Sequence, residues 1–269
     1  MKRVRALSDY LRNLPQAHRY VYWFAKAVVL FRRPARFLLN YVRRTSPRNG
    51  LVEMRDGTRI YLSGHPHDVI TLFVIMVRED YGRLPPGGTV VDIGANLGAF
   101  ALYAARQGAK AVLAYEPNSA AFRCLQRNVE VNGLSDIVRP RQLAVSAVAG
   151  QHVRFPSAPS AYNRIAAEGE SGKFETVRTT SLAEILARDA AQGIDLLKLD
   201  CEGAEYDILF STASSDIRRV REIRMEYHSG RDIVELKAYL RNAGFEMSFF
   251  RPDSSIEGVI WARRQGTGA

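Results

Sequence analysis

Residues 89–98 read TVVDIGANLG, and the stretch AFALYAARQG follows them directly. The apolar run that ends in Asp92 and Gly94 indicates a buried strand, and the residues after Gly98 have the composition of a helix. The two glycines allow the backbone to come close to a ligand and the helix to pack tightly on the strand. The stretch therefore predicts a strand, a ligand-binding loop and a crossover helix in succession.

The alternation of strands and helices continues outward from this stretch. We predict strands at residues 89–94, 111–116, 137–145, 195–200 and 222–228. Helices are predicted at residues 119–132, 181–188 and 232–243, and an antiparallel edge at residues 245–252 and 257–264. Short apolar strands that alternate with helices are parallel, so we expect an α/β fold with a mostly parallel seven-stranded sheet and helices on both faces.

The chain ahead of this alternation divides into two parts. Residues 51–64 place an Asp56-Gly57 turn between two alternating runs, which is typical of a β-hairpin. A helix is predicted over residues 68–78, and the Pro- and Gly-rich residues 84–88 end it. We therefore expect three regions. They are an N-terminal helical segment (1–44), a hairpin and helix that lead into the core (45–88) and the main domain (89–269).

The positive charge of the chain is confined to its N-terminus. The whole sequence carries 38 basic and 28 acidic residues, and residues 1–44 hold eleven of the basic ones against Asp9 alone. The remaining residues are balanced, with 27 of each sign. A nucleic-acid-binding protein is expected to carry its basic surface on the folded domain, beside base-reading motifs, and the sequence has none. We therefore expect no nucleic-acid partner.

Residues 20–31, YVYWFAKAVVLF, are apolar on most sides of the predicted helix and are flanked by arginines. Two interpretations are open, because the helix can pack on the folded domain or lie at an anionic membrane interface. At about 12 residues the run is too short to span a bilayer. With two cysteines and no signal-peptide pattern, we expect a cytoplasmic protein, with peripheral contact at the inner membrane face under the second interpretation.

The loop after the first strand is typical of one particular cofactor. It lacks the middle glycine of G-x-G-x-x-G, which brings amides onto a pyrophosphate, and carries Asp92 and Asn96 instead. These groups suit a ligand with an ammonium, a carboxylate and a sugar but no phosphate, which describes S-adenosylmethionine. Glu116 ends the second strand, where a carboxylate can accept both ribose hydroxyls. The alternative for Glu116 is a favourable charge at the start of the next helix.

Four ionisable residues lie at the carboxyl ends of the fourth and fifth predicted strands. Asp200 and Glu202 lie at the tip of one strand, and Glu226 and His228 share a face of the other. Carboxylates this close need a cation or a shared proton, and a sulfonium is a cation. A neutral His228 near its reference pKa would be the general base for a hydroxyl, unless it is an ordinary strand-end histidine. The same four residues are an alternative site for Mg²⁺ or Ca²⁺.

The strings DIGANLG, YEPN, RNVEVNG and DCEGAE resemble the FkbM family of S-adenosylmethionine-dependent methyltransferases. The resemblance implies a Rossmann-like class I methyltransferase fold and O-methylation of hydroxyls in sugars, glycolipids or polyketide-type natural products. It implies S-adenosylmethionine as cofactor, S-adenosylhomocysteine as product, and a cofactor site made of Asp92, Gly94, Asn96, Gly98, Glu116, Pro117, Asn118 and Asp200. In that site the loop residues line the methionine end, Glu116 holds the ribose and Asn118 lies near the adenine. Asp200 and Glu202 lie beside the methyl group.

Other functions fit the sequence less well. N-methylation of a small molecule is the nearest alternative, although no NPP(Y/F) string is present to suggest adenine or glutamine as the acceptor. The missing pyrophosphate loop disfavours a dinucleotide-dependent oxidoreductase, and a non-catalytic nucleotide-binding or membrane-adaptor protein would not need the acidic cluster. Residues 151–180 are too long for a plain crossover and form a candidate acceptor-binding flap. We expect a small-molecule, glycan or lipid-linked acceptor.

Overall fold

A computed structural model describes residues 16–84, 86–160, 163–228, 232–254 and 257–266. The expectations for residues 1–15 lie outside this part of the chain. Within it, no helix has both the length and the apolar composition needed to cross a membrane.

The elements ahead of the main sheet are two helices, a hairpin and a composite helix. In chain order they are α1 (Gln16–Leu30), α2 (Pro34–Arg43), β1 (Leu51–Glu53), β2 (Arg59–Tyr61), α3 (Asp68–Leu72) and a π-helix (Phe73–Arg78). The strands that follow are β3 (Thr89–Ile93), β4 (Ala111–Tyr115), β5 (Val138–Arg141), β6 (Ala144–Val145), β7 (His152–Pro156), β8 (Phe174–Thr180), β9 (Ile194–Leu199), β10 (Val220–Tyr227), β11 (Phe245–Pro252) and β12 (Gly258–Arg264). The helices among them are α4 (Ala99–Arg106), α5 (Ser119–Val131), α6 (Leu182–Arg188), α7 (Glu205–Ser211), α8 (Ser214–Ile217) and α9 (Ile233–Asn242).

The main sheet has seven strands in the order β11-β12-β10-β9-β3-β4-β5. The five strands from β10 to β5 run parallel, and β12 and β11 add an antiparallel edge. The middle of the sheet is buried on both faces, as expected where helices cover both sides. The α/β fold with a mostly parallel seven-stranded sheet, N-terminal helices and a hairpin is thus confirmed.

One predicted strand is wrong in its extent. Residues 137–145 divide between β5, at the edge of the main sheet, and β6, which pairs with β8 in a separate three-stranded sheet. β5 contains Pro140, which has no N–H for a ladder and is tolerated at an edge strand. The chain therefore leaves the main sheet after Arg141 and enters the small sheet that also holds β7.

The helix predicted over residues 68–78 begins as an α-helix and continues as a π-helix. Asp68 is buried at its start and accepts hydrogen bonds from the backbone N–H groups of Ser63 and Gly64. At its end Glu79 adopts a left-handed conformation and donates its backbone N–H to the carbonyl of Val74. The change of helix type alters which side chains face each side of this element.

The N-terminal helices pack on the outer side of the π-helix. Trp23 and Phe24 each meet the ring of Phe73 edge to face at 6.2 Å, and Tyr41 stacks on the same ring at 3.9 Å. Ala27 and Phe31 are buried in the same cluster, and Phe31 forms an isolated bridge to Met54. The side of α1 and α2 that faces Phe73, which we call the inner side, therefore packs on the folded domain, as the first of the two interpretations expects.

Candidate active site

A cavity of about 310 Å³ opens at the carboxyl ends of the central strands. The register places Ile93 beside both Tyr115 and Leu199, so the residues that follow β3, β4 and β9 meet at one edge. In β10, Met225 pairs with Leu199, which brings the end of that strand to the same edge. The cavity falls within the usual size range of cofactor sites, roughly 300 to 1,000 Å³.

Two further elements close the cavity. α3 and the π-helix contribute an apolar wall made of Ile70, Thr71, Val74 and Ile75. The flap predicted at residues 151–180 contributes Phe155, Ser160, Asn163 and Ile165 to the lining.

The loop after β3 reaches the cavity through Gly94, Ala95 and Asn96. Gly94 has a φ of +76°, and a Cβ there would lie 1.8 Å from the carbonyl oxygen of Asp200. No side chain fits this approach, so the position requires glycine. The close contact brings the loops after β3 and β9 together at the centre of the site.

Glu116 is a buried carboxylate that faces the cavity beside Pro117. Its Oε2 accepts the backbone N–H of Asn96 at 2.7 Å, and its Oε1 accepts that of Asn118 at 2.8 Å. Burial raises the pKa of Glu116 to about 7, against the lowering effect of these two hydrogen bonds. Each oxygen keeps acceptor capacity for a hydroxyl, as a ribose requires.

A buried lysine lies behind the loop, and the sequence analysis did not single it out. Lys198 Nζ lies 3.0 Å from Asp92 Oδ1 and 3.6 Å from Asp200 Oδ2, and it donates to the carbonyl of Gly94 at 2.7 Å. Burial lowers the pKa of Lys198, but the two carboxylates raise it more, to about 12. A lysine inside an otherwise apolar buried strand is the signal that could have revealed this ion pair.

Three residues that the resemblance places around the cofactor do not reach the cavity. Asp92 is fully buried and forms an ion pair with Lys198. Gly98 begins α4, where a Cβ would lie 2.5 Å from a methyl of Leu125, so it serves helix packing. Asn118 caps α5 by accepting the backbone N–H groups of Ala120 and Ala121.

The side-chain amide of Asn118 also holds the flap. Its Nδ2 donates to the carbonyl of Pro156 at 2.8 Å, and a longer contact of 3.4 Å reaches that of Ala158. The side chain of Asn118 therefore donates to the predicted flap and accepts from the helix, and its position near the adenine stays a prediction.

The predicted acidic cluster is brought together. Asp200, Glu226 and His228 each offer one ligand atom within 4.8 Å of the others, and Glu202 Oε2 lies 3.6 Å from His228 Nε2. All four residues line the cavity. Tyr81, which the sequence analysis missed, donates its hydroxyl to Asp200 Oδ2 at 2.9 Å.

His228 is paired with a second missed residue, Glu205. Its Nδ1 lies 3.0 Å from Glu205 Oε1, and this fully buried carboxylate also accepts the backbone N–H groups of Cys201 and Gly203. Burial lowers the pKa of His228, but the hydrogen bond and the charge of Glu205 raise it more, to about 10. This pairing favours a protonated imidazole at neutral pH, and the role of a neutral His228 as general base stays a prediction.

The two cavity-facing glutamates titrate closer to neutrality. Burial raises the pKa of Glu226 to about 8, with Asp200 adding to the effect, and it raises the pKa of Glu202 to about 7 against the opposing charge of His228. The site therefore pairs a protonated imidazole with carboxyl groups that exchange protons near pH 7.

Comparison with known proteins agrees with this arrangement of motifs. Residues 92–247, more than half of the chain, match the model described as the methyltransferase FkbM domain. The chain belongs to the FkbM methyltransferase family. It is thus a methyltransferase, and its cofactor is S-adenosylmethionine.

Relatives of this FkbM-family chain include two methyltransferases and a synthetase. It is 28% identical to the methyltransferase sdnD of Sordaria araneosa, over 69% of this chain and 85% of that protein. It is also 28% identical to the 31-O-demethyl-FK506 methyltransferase FkbM of Streptomyces tacrolimicus, over 61% of this chain and 74% of that protein. The match to the AMB antimetabolite synthetase AmbE of Pseudomonas aeruginosa is 30% identical over 69% of this chain but spans only 11% of the synthetase.

Solved methyltransferase structures are more distant from the FkbM-family chain. The ribosomal protein L11 methylase of Lactobacillus delbrueckii subsp. bulgaricus gives a TM-score of 0.43 at 19% identity, over 73% of this chain and 80% of that one.

The cavity suits S-adenosylmethionine on its own chemistry. Glu116 offers acceptors for ribose hydroxyls, apolar side chains line part of the same cavity, and the carboxyl groups complement a sulfonium. Gly94 lets the loop after β3 pack directly against the backbone of Asp200 at the cavity.

Proposed function

We propose that this enzyme O-methylates a hydroxyl group of a sugar, glycolipid or polyketide-type natural product. The observation that carries the proposal is the cluster of Asp200, Glu226 and His228 in one cavity with Glu116. Such a cluster provides proton acceptors and a proton donor beside the place where a methyl group would be transferred.

The cofactor, when bound, supplies an electrophilic methyl group on a sulfonium. Asp200, held by Tyr81 and Lys198, presents a carboxylate at the end of β9 where it stabilises positive charge. Glu226 takes the proton of the attacking hydroxyl, because its pKa of about 8 is near the operating pH. His228 donates a hydrogen bond from Nε2 to the acceptor oxygen and so orients it. Glu202, 3.6 Å from that nitrogen, is a second proton acceptor near neutral pH.

Glu205 is a positioning residue in this scheme. It fixes the ring of His228 through Nδ1 and leaves Nε2 directed toward Glu202. The resulting geometry aligns the hydroxyl, and alignment of this kind is worth up to ~7 to 11 kcal/mol in favourable intramolecular comparisons.

Two alternatives use the same cluster. An amine acceptor would give N-methylation of a small molecule, because the carboxylates also bind an ammonium group. Asp200, Glu202, Glu226 and His228 could instead hold Mg²⁺ or Ca²⁺. The pairing of His228 with Glu205 disfavours the metal, because a protonated imidazole is not a ligand.

We propose that residues 89–269 form the methyltransferase domain, that residues 151–180 form an acceptor flap, and that residues 45–88 lead into the core. For a lipid-linked acceptor, we propose peripheral contact with an anionic membrane through residues 1–44 in an otherwise cytoplasmic enzyme.

The acceptor is identified by mass spectrometry of glycolipid and metabolite extracts from the host with and without this gene. We expect one oxygen-linked methyl group to be lost. With the purified acceptor, Glu226→Gln and Asp200→Asn should each lower kcat about 100-fold and leave S-adenosylhomocysteine affinity within about threefold. Glu246→Gln, on the exposed surface of β11, is the matched control.

The outcomes separate the alternatives. Normal turnover in both variants contradicts the proposed proton acceptor. A nitrogen-linked product replaces O-methylation with N-methylation. If a chelator abolishes activity and Mg²⁺ restores it, a mechanism with a bound metal replaces the mechanism with a general base.

A further inference from the structure

The outward side of α1 is apolar, although its inward side is already packed. Val21, Tyr22, Ala25, Val28 and Val29 recur at the spacing of one helix face, and all five are exposed. Val21 is 71% and Val29 70% exposed, and they belong to a face of several exposed apolar side chains rather than standing alone. A surface helix normally carries polar residues on this side.

The adjoining helix α2 repeats the pattern. Ala35, Leu39 and Val42 lie at positions i, i+4 and i+7, and Val42 is 66% exposed. We call these three residues and the five on α1 the outer stripe. α1 and α2 pack against each other and are joined by only three residues, so the outer stripe belongs to a single helical hairpin.

The charge of the hairpin has one sign. Residues 16–44 contain seven basic residues and no acidic residue. Arg33, Arg43 and Arg44 are exposed at the ends of the two helices. Lys26 differs, because it pairs with Glu79 at 2.9 Å on the inner side. Exposed arginines therefore accompany an exposed apolar face, which is the composition of a helix that lies in a membrane interface.

The structure assigns the outer stripe to an anionic lipid surface, with its apolar side chains at the acyl boundary and its arginines at the lipid phosphates. A second copy of the chain is disfavoured, because a two-fold contact through this face would bring arginines close to arginines. Residues 1–15 are disfavoured as a cover, because they carry Lys2, Arg3, Arg5 and Arg12 against Asp9 alone.

Docking here would fix the cavity relative to the lipid. Trp23, Phe24 and Tyr41 attach the hairpin to Phe73, and the same π-helix presents Val74 and Ile75 to the cavity. The lipid-facing hairpin and the cavity wall are thus two sides of one packed unit. The inference deepens the proposed membrane contact and rests on that part of the proposed function, and its test does not require the methyl acceptor.

The test uses the full chain and sedimentation with vesicles of phosphatidylcholine, with and without added phosphatidylglycerol. We expect binding only to the anionic vesicles and weakening of that binding with salt. The combined variant Val21→Ser, Val29→Ser and Val42→Ser should lower the vesicle partition coefficient about tenfold or more. The control variant Val148→Ser with Val234→Ser changes two exposed valines outside the outer stripe and should bind as the unaltered chain does.

Calorimetry with S-adenosylhomocysteine keeps this inference distinct from the methyltransferase activity. Unchanged cofactor affinity in the stripe variant shows that it is folded. Absence of vesicle binding by the unaltered chain, or equal binding by the stripe variant, overturns the lipid assignment and leaves methyl transfer untouched. If light scattering shows that the unaltered chain is a dimer and the stripe variant is not, the outer stripe binds a second copy of the chain and the lipid assignment is overturned.

Discussion

Glu116 connects two loops of the site through one carboxylate. It accepts a backbone N–H from the loop after β3 and another from the loop after β4 while facing the cavity. Its contribution to the proposed site is therefore double, because it offers acceptors to the cavity and fixes the backbone that borders the cavity.

Glu116→Gln should weaken S-adenosylhomocysteine binding by about 10- to 100-fold, in line with about 1.5 to 3 kcal/mol for a charged hydrogen bond. The glutamine keeps the shape of the side chain but loses the charge and one acceptor oxygen. Isothermal calorimetry on the folded variant measures the change. Glu175→Gln is the control, since Glu175 accepts from Ser119 at the start of α5 and does not line the cavity. Equal losses in both variants would remove Glu116 from the ligand site.

The residues at strand ends could be predicted, whereas their partners could not. Asp200, Glu202, Glu226 and His228 converge because parallel strands place their carboxyl ends at one edge. Glu205 comes from α7, and its burial against His228 depends on packing that no local pattern shows. The protonation of His228 follows from that partner, so the sequence could not reveal it.

At the scale of elements, Asn118 joins a helix to the flap. The side-chain oxygen caps α5, and the side-chain nitrogen holds the carbonyl of Pro156 at the end of β7. The start of a central helix and the position of a cavity-lining loop therefore depend on one side chain.

Asn118→Asp should separate these two functions. The carboxylate still caps α5, so the melting temperature should fall only slightly, but it cannot donate to the flap carbonyls. Trypsin should then cleave faster at Arg164 and Lys173, while S-adenosylhomocysteine should restore protection. Asn118→Ala, which also loses the cap, should be less stable by about 0.5 to 2 kcal/mol in denaturant unfolding. Unchanged cleavage in Asn118→Asp would contradict the tether.

Regular elements could be predicted from period and turn residues, and irregular ones could not. The Asp56-Gly57 turn is a local signal, and so are the capping residues of α5, α6 and α9, which are Asn118, Ser181 and Asp232. The predicted bounds of these elements are therefore nearly correct. The π-helix has the apolar pattern of an α-helix, and its extra residue per turn has no simple sequence signature. The split of residues 137–145 depends on which sheet offers a partner strand.

At the scale of the whole molecule, four ionisable groups of the site bind protons more tightly in the folded chain than in the unfolded chain. The pKa values of Glu116, Glu202 and Glu226 are raised to about 7, 7 and 8, and that of His228 to about 10. All four lie above their ordinary values, so the folded chain binds more protons than the unfolded chain between about pH 4.5 and pH 10. The free energy of unfolding contributed by these groups therefore falls as the pH rises through this window.

The melting temperature of the ligand-free enzyme should be lower near pH 9 than near pH 6. Glu226→Gln removes one group that must lose its proton, so its melting temperature should depend less on pH between about 6 and 8. Scanning fluorimetry of this variant beside Glu246→Gln isolates the effect. A melting temperature that rises toward pH 9 would contradict the raised pKa values of the site. Equal pH dependence in the two variants would contradict the raised pKa of Glu226.

The π-helix gives the length of one short segment a particular importance. A π-helical turn holds about one residue more than the α-helical turn that it replaces. Loss of a single codon within residues 73–78 would therefore convert this turn to an α-helix and leave the preceding helix in nearly the same orientation. Ile70 and Thr71 would keep their places in the cavity wall. A deletion within α3 has no π-turn to absorb it and would rotate the residues ahead of it by about 100°. The π-helix is thus the part of this element where the chain can shorten by one residue at the least cost to the site.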